Sequence, residues 1–286
     1  MSRRGLSRRA FLRLGLASAY EITFLGLGGI AYAYKVEPGW VDVKSVPLIL
    51  PRLAPEFDGY RLVHISDLHM DEWMTRTRLA EIVKLVNRQE PDLVAVTGDF
   101  FTYAPERFAA DMVSVLSGLA PRDAAVAVLG NHDHWTDPRV VRGVISQSGM
   151  LDLGNAVHTL RRGAAMLHVA GVDDVWEHQD RLDLVLKATP EAGAAILLAH
   201  EPDFAEVSAA TGRFDLQISG HSHGGQIILP LRGPPLLPRY AERYPVGLYQ
   251  VGKMMQYTNR GVGTVPPRVR FNCRPEVTVF TLTSEA

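Results

Sequence analysis

The stretch YRLVHISDLH, Tyr60–His69, is an apolar segment that runs directly into a polar cluster. Its first six residues have the continuous apolar character of a strand that is covered on both faces. The same change from apolar to polar recurs in DLVAVTGDF (92–100), AAVAVLGNHDHW (124–135), AAILLAHEPD (194–203) and DLQISGHSHGG (215–225). In α/β sheets, ligands bind beyond the carboxyl ends of the strands, which is where these clusters fall.

Helical patterns separate several of these strands. Apolar residues recur at helical spacing in 77–89, 108–120, 138–149 and 182–188. Alternation of strand and helix predicts a layered α/β domain. The simplest division of the chain is a single domain over 58–286, preceded by a proline-rich connector at 34–57.

Composition excludes some kinds of site and partner. The 286 residues are 47% hydrophobic and 21% charged, as in globular proteins with a sizeable core. Cys273 is the single cysteine, so any metal must be held by nitrogen and oxygen ligands. Beyond residue 33 the chain has 25 basic and 30 acidic residues, because five of the 30 basic and one of the 31 acidic residues precede that point. A body with this acidic balance predicts no nucleic-acid partner.

The first 33 residues have the layout of a targeting segment. Arginines crowd the start, and a mostly apolar stretch follows from residue 14 to residue 33. SRRAFL (7–12) resembles the twin-arginine export signature, and AYA (31–33) suits signal peptidase. We expect a twin-arginine signal peptide or a retained N-terminal membrane anchor. The arginines place that end in the cytoplasm, so the domain over 58–286 is expected on the periplasmic or extracytoplasmic side.

Two pairs of residues stand two positions apart, Asp67 with His69 and His221 with His223. On an extended backbone, residues two apart point to the same side. A polar turn explains any one of the clusters, but the whole set of strand ends indicates a metal site. Glycines beside the clusters let the backbone pass close to it. Imidazole-rich ligation favours Mn, Fe or Zn over Mg or Ca.

The ordered series DLH, GDF, GNHD, AHEP and GHSHGG, within residues 60–225, resembles the calcineurin-like metallophosphoesterase superfamily. The tail GVGTVPPRVRFNCRPEVTVFTL (261–282) extends the likeness to a bacterial branch of twin-arginine-exported or membrane-anchored phosphodiesterases. That branch also includes some UDP-diacylglucosamine pyrophosphatases of lipid A precursor metabolism. The resemblance implies a four-layer α-β-β-α sandwich of two mixed sheets.

The resemblance also implies two divalent metal ions bridged by one carboxylate. One ion is expected on Asp67, His69, Asp99 and His223, and the other on Asp99, Asn131, His200 and His221. His132 is expected to protonate the leaving oxygen or to stabilise the transition state. Asp133 is expected to orient His132.

The function implied is hydrolysis of a phosphodiester, with monoesters as a further option, by attack of a metal-activated hydroxide. One alternative is a membrane-associated pyrophosphatase of the UDP-2,3-diacylglucosamine type, which the external placement of the domain disfavours. A non-catalytic binding module is disfavoured by the intact ligand set. The expected partners are a small phosphoester or phospholipid-like substrate, a membrane, and the twin-arginine export machinery.

Overall fold

The computed structural model describes residues 28–285. Its helices are α1 (28–35), α2 (Arg76–Asn87), α3 (Pro105–Leu116), α4 (Asn131–Trp135), α5 (Pro138–Gln147), α6 (Leu182–Ala188) and α7 (Ala205–Ala210). Its strands are β1 (Asp42–Leu50), β2 (Tyr60–Ile65), β3 (Leu93–Thr97), β4 (Ala124–Val128), β5 (Leu151–Asp152), β6 (Ala156–Arg162), β7 (Ala165–Gly171), β8 (Ala194–Leu198), β9 (Leu216–Ser219), β10 (Gly247–Val251), β11 (Met254–Thr258) and β12 (Glu276–Ser284). Short 3₁₀ turns occur at Glu37–Gly39, Pro55–Phe57, Pro202–Phe204 and His223–Gly225.

The predicted export signal or anchor, residues 1–33, lies outside the described residues except for its last six. Within 28–285, none of the helices combines the length and the apolar character that crossing a bilayer requires.

Two six-stranded mixed sheets form the centre of the molecule. The first has the order β1-β12-β2-β3-β4-β5, with β12 antiparallel to β2 and every other neighbouring pair parallel. The second has the order β10-β11-β9-β8-β7-β6, with antiparallel pairs at its two ends and parallel pairing from β11 to β7. The central parallel strands of both sheets are the ones that end in the polar clusters.

Three apolar clusters show how the layers stack. One lies between the two sheets and includes Leu62, Phe280, Leu198 and Ile218. A second packs the outer face of the first sheet against α2, α3 and α5, and a third packs the second sheet against α6 and α7. The predicted four-layer α-β-β-α sandwich of two mixed sheets is therefore confirmed.

The helices begin where the sequence supplies caps. The Thr75 side chain accepts a hydrogen bond from the Arg78 backbone N–H at 3.4 Å before α2. The Asp137 carboxylate accepts one from the Arg139 N–H at 2.9 Å, and Pro138 begins α5. Both caps satisfy a backbone donor that the first helical turn leaves free.

Residues 34–57, predicted as a connector, contribute β1 to the first sheet. This strand pairs in parallel along its whole length with β12, from Asp42 opposite Glu276 to Leu50 opposite Ser284. Since β1 is an edge strand, Pro47 can lie within it although proline cannot donate to the ladder.

Candidate metal centre

The predicted ligands meet at one edge of the sandwich. Residues 67 and 69 follow β2, 99 follows β3 and 131 follows β4, all in the first sheet, while 200 follows β8 and 221 and 223 follow β9 in the second. The two sheets thus supply facing halves of one site, at the carboxyl ends of their parallel strands.

The first group consists of Asp67, His69, Asp99 and His223, all buried, whose ligand atoms lie within 4.8 Å of one another. The Nε2 atom of His69 is 3.4 Å from Asp99 Oδ2, and the Nε2 atom of His223 is 3.3 Å from Asp67 Oδ1. These four residues are the set predicted for one metal. Two carboxylates and two imidazoles in this arrangement form a donor set that suits a transition metal.

The second group shares Asp99 with the first. His200 Nε2 lies 3.3 Å from Asp99 Oδ2 and 3.2 Å from His221 Nδ1. The outer nitrogen of each ring faces a backbone carbonyl, since His200 Nδ1 donates to Thr97 O at 2.7 Å and His221 Nε2 donates to Arg239 O at 2.8 Å. When each ring is neutral, these bonds leave the lone pair on its inner nitrogen. An outer N–H held by a carbonyl is the usual arrangement of a metal-binding histidine.

Two buried polar atoms in these groups have no hydrogen-bond partner among the described residues: Asn131 Oδ1 and His69 Nδ1. A buried amide oxygen without a donor is costly, because it has lost its contacts with water. Asn131 follows β4 and lines the same cleft as Asp99 and His221. The residues present therefore fit a divalent metal site.

The ligand backbone is not extended. Asp67 (φ 53°), His69 (φ 47°), Asp99 (φ 56°), His221 (φ 68°) and His223 (φ 50°) all occupy the left-handed region. The interpretation that paired residues face one way along an extended chain is wrong. Their side chains converge because each ligand lies just beyond a strand, in a conformation that costs of order 1–3 kcal/mol for a residue other than glycine.

Two glycines leave the space that the ligands occupy. A Cβ atom at Gly130 would lie 2.5 Å from Asp99 Oδ1, and one at Gly220 would overlap Ser66 Oγ and Asp67 Oδ2. The close approach of backbone to ligand that the sequence predicted is thus present at both positions.

Burial keeps three of the imidazoles neutral. It lowers the pKa of His69 and of His221 to about 3 and the pKa of His223 well below its usual range. Burial also lowers the pKa of His200, but Asp99 and Asp67 together outweigh it and raise that pKa. Neutral imidazoles are the form that binds metal ions. The described ion pairs of the two ligand carboxylates are to histidine alone, so a cation is the natural counter-charge.

His132 is the second residue of the short helix α4 and lines the open side of the site. Its backbone N–H donates to Asp99 Oδ1 at 2.9 Å, and its Nδ1 donates to Thr102 O at 3.4 Å. Its ring meets that of His69 edge-on, with centroids 4.8 Å apart. The other ring nitrogen, Nε2, remains available for a substrate.

Asp133 is buried beneath the site. Its carboxylate accepts backbone hydrogen bonds from Asp99 at 2.9 Å, Phe100 at 2.9 Å and Gly130 at 3.0 Å. These bonds join the end of β3 to the turn that carries His132. Any orientation of His132 by Asp133 would therefore act through the backbone.

Two further polar candidates are engaged elsewhere. His134 Nε2 bonds to Asp173 Oδ1 at 2.9 Å, and Arg142 holds the other oxygen of that carboxylate at 2.5 Å. Arg260 pairs with Glu276 at 2.5 Å and Asp42 at 2.9 Å.

Sequence reasoning missed the aromatic side chains beside the site. Trp176 packs edge-on against His221 (5.5 Å between centroids) and against Trp135 (5.4 Å), and Trp135 lies 4.9 Å from His132. The buried Glu201 accepts the backbone N–H of Trp176 at 3.3 Å. The position of Trp135 directly after GNHDH was the available signal.

Comparison with known proteins covers both the site and most of the chain. The family model for the calcineurin-like phosphoesterase domain matches residues 60–225. The uncharacterized metallophosphoesterase YkuE of Bacillus subtilis is 32% identical over 287 residues, which cover 98% of each protein. Phosphodiesterase YaeI of Escherichia coli is 32% identical over 286 residues, covering 97% of this chain and 99% of YaeI. The crystal structure of TT1561 of Thermus thermophilus aligns with a TM-score of 0.48 at 14% identity, over 71% of this chain and 90% of that one.

Proposed function

The chain belongs to the calcineurin-like phosphoesterase family and is a metal-dependent phosphoesterase, and on that premise we propose that it hydrolyses phosphodiesters with two divalent ions. The observation that carries this proposal is the pair of ligand groups that share Asp99. His69 Nε2 and His200 Nε2 approach the same carboxylate oxygen, at 3.4 Å and 3.3 Å.

The donor set supports Mn, Fe or Zn as the resident ions. Four imidazoles and one amide oxygen join only two carboxylates, and such nitrogen-rich sites are not those that Mg or Ca prefer. When bound, the ions supply Lewis acidity for the phosphoryl oxygens and lower the pKa of water.

The protein's own groups position the substrate and handle the proton. His132 stands at the open side of the site with Nδ1 on a carbonyl and Nε2 free, which suits donation of a proton to the leaving oxygen. Asp133 fixes the turn that carries it, through its bonds to the backbone of Asp99 and Gly130.

A diester fits the cleft better than a monoester or a pyrophosphate. No lysine or arginine is among the described residues that line the cleft at the metal centre. A phosphodiester carries one negative charge, whereas a monoester dianion or a pyrophosphate needs further cationic partners. The name of the relative YaeI, a phosphodiesterase, agrees with this choice. No observation favours the pyrophosphatase alternative.

We also propose that the domain works outside the cytoplasm, exported or anchored by residues 1–33. The support is the sequence alone, with SRRAFL at 7–12 ahead of the apolar stretch.

The test uses the purified full chain with Mn²⁺ on bis(4-nitrophenyl) phosphate and on 4-nitrophenyl phosphate. We expect faster hydrolysis of the diester, and about two metal ions per chain by elemental analysis. Asp99→Asn should lower kcat/KM at least about a hundredfold, since it weakens both ion sites. Asp183→Asn, at an exposed aspartate of α6, is the matched control. Full activity of Asp99→Asn, or activity that survives removal of all metal, would contradict the proposal.

A further inference from the structure

A cleft of about 400 Å³ opens beside the metal centre. Asp99, Asn131 and His221 form its floor, so a group bound in it is continuous with the reacting phosphate. The volume lies in the range of small-molecule sites. Most of the remaining lining is apolar or aromatic: Trp135, Trp176, Ile227, Leu236, Leu237 and Val265.

One wall of the cleft is the loop between the last ligands and β10. It packs directly on the ligand turn, because a Cβ atom at Gly225 would meet Leu236 O at 2.9 Å. His221 also holds this loop through its bond to Arg239 O. Leu236 is 81% exposed and Leu231 is fully exposed. Leu236 lines the cleft, so the apolar lining reaches the protein surface at this residue.

Three polar side chains of the lining, those of Gln226, Ser222 and Trp135, already have hydrogen-bond partners. Gln226 exchanges hydrogen bonds with the Val265 backbone, at 3.2 Å and 2.9 Å, and Ser222 donates to Pro245 O at 2.6 Å. Trp135 Nε1 donates to Glu177 at 2.8 Å. Apart from the ligand set, His132 and the indole N–H of Trp176, the described side chains of the lining thus offer few free polar groups to a ligand.

We infer that this cleft binds an aliphatic chain of the substrate, so that the enzyme acts on phosphodiesters of the amphiphile class. The inference rests on the proposed function, because it places the phosphate at the metal centre. The single occupant is the chain esterified to that phosphate, which runs from the floor, past Trp135 and Trp176, to Leu236 at the mouth.

The first test varies only the chain. The full-length protein is assayed with Mn²⁺ on ethyl, butyl and hexyl esters of 4-nitrophenyl phosphate, which share one leaving group. Burial of each methylene should raise kcat/KM by up to about fourfold. The value for the hexyl ester should therefore exceed that for the ethyl ester at least about tenfold. Equal values for the three esters would overturn the inference.

Two variants test where the aliphatic chain of the substrate binds. Leu236→Ser should lower the hexyl-to-ethyl ratio at least about threefold, since it removes apolar surface from the mouth. Leu184→Ser, at a half-exposed leucine of α6 away from the cleft, is the matched control and should keep the ratio. A ratio that Leu236→Ser leaves unchanged would place the chain elsewhere and overturn the assignment of this cleft.

Measurements of binding affinity test this inference independently of the proposed hydrolysis. Tryptophan fluorescence is titrated with dihexyl and with diethyl phosphate, because Trp135 and Trp176 line the cleft. The dihexyl ester should bind at least about tenfold more tightly. Tight binding without hydrolysis of any ester would contradict the proposed function but would still support an aliphatic-chain site in the cleft. Equal affinities for dihexyl and diethyl phosphate would contradict the aliphatic-chain site, even if all three esters were hydrolysed at equal rates.

The aliphatic chain could belong to a lipid in a bilayer or to an amphiphile in solution, and two assays distinguish these sources. Nitrophenolate release from dodecyl 4-nitrophenyl phosphate in phosphatidylcholine vesicles would identify a bilayer lipid. Release confined to the dissolved hexyl ester would identify a dissolved amphiphile. Both results support the aliphatic site.

Discussion

The Nε2 atoms of His69 and His223 lie 3.0 Å apart, although the two residues are 154 positions apart in the chain. Each nitrogen also approaches a carboxylate, His69 that of Asp99 and His223 that of Asp67. Burial keeps both rings neutral. Two neutral nitrogens held this close beside two carboxylates are explained by a cation that all four contact.

We expect metal ions to stabilise the fold. Mn²⁺ or Zn²⁺ at about one hundred times its Kd should raise the free energy of unfolding by about 2.7 kcal/mol per site, because the unfolded chain lacks the assembled ligands. Thermal unfolding with metal and with a chelator measures the shift. His223→Ala should reduce it, while His178→Ala, at an exposed histidine, should not. An equal shift in His223→Ala would count against its role as a ligand.

His132 should separate catalysis from metal binding. His132→Ala is expected to lower kcat by about 10²–10⁴-fold, the usual range for a lost general acid. Metal content should stay at the wild-type level, since the contact of residue 132 with Asp99 uses its backbone N–H. Parallel kinetics and elemental analysis check both points. A loss of metal along with activity would instead make His132 a ligand.

Gly220→Ala should distort the candidate metal site by overpacking the turn that precedes His221. The added methyl group would overlap Ser66 Oγ and Asp67 Oδ2 in the buried turn before His221. Overpacking of this kind costs about 1–3 kcal/mol, and displacement of Asp67 should also weaken metal binding. Denaturant unfolding and metal titration measure the two effects. Gly39→Ala is the control, since a Cβ atom there meets nothing within 4 Å.

The ion pair of His134 with Asp173 should make stability depend on pH. Burial lowers the pKa of His134, but Asp173, then Asp174 and Asp133, outweigh it and raise that pKa above 6.5. Because the folded pKa exceeds the unfolded one, the pair contributes fully below about pH 6.5, and its contribution is lost as pH rises through the folded pKa.

The contribution is about 1 kcal/mol, as for a hydrogen bond to a charged group near the surface. Unfolding free energies at pH 6 and pH 9, for wild type and Asp173→Asn, test it. Asp173→Asn also affects Arg142, which the same carboxylate holds at all pH values. The informative quantity is thus the pH-dependent part of the difference, and a constant difference would contradict the expectation.

Local sequence patterns predicted the strands that carry the site. The apolar runs of β2, β3, β4, β8 and β9 end within one or two residues of the expected positions, because a strand buried on both faces has few polar interruptions. The helices α2, α3, α5 and α6 were likewise evident from apolar spacing. The sequence also indicated where the candidate ligands lie, because each of them follows such a strand.

Features that depend on distant pairing were not predictable in the same way. β1 contains Pro47, and its first half is mostly exposed. The sequence alone therefore favoured a connector. Only its pairing with β12 shows that this segment is a strand. The left-handed backbone at Asp67 and His221 has no local signal, because neither residue type requires it. The cleft wall at Leu236 is visible only once the loop is placed over the ligand turn.

The insertion of β12 between β1 and β2 has a consequence for synthesis of the chain. The strand that joins these two neighbours comprises Glu276–Ser284, so it leaves the ribosome after every metal ligand has already emerged. A nascent chain that stops before Glu276 leaves β1 and β2 without their shared partner and Phe280 missing from between the sheets. The first sheet can therefore be completed only after Glu276–Ser284 has been synthesised and has paired with both neighbours.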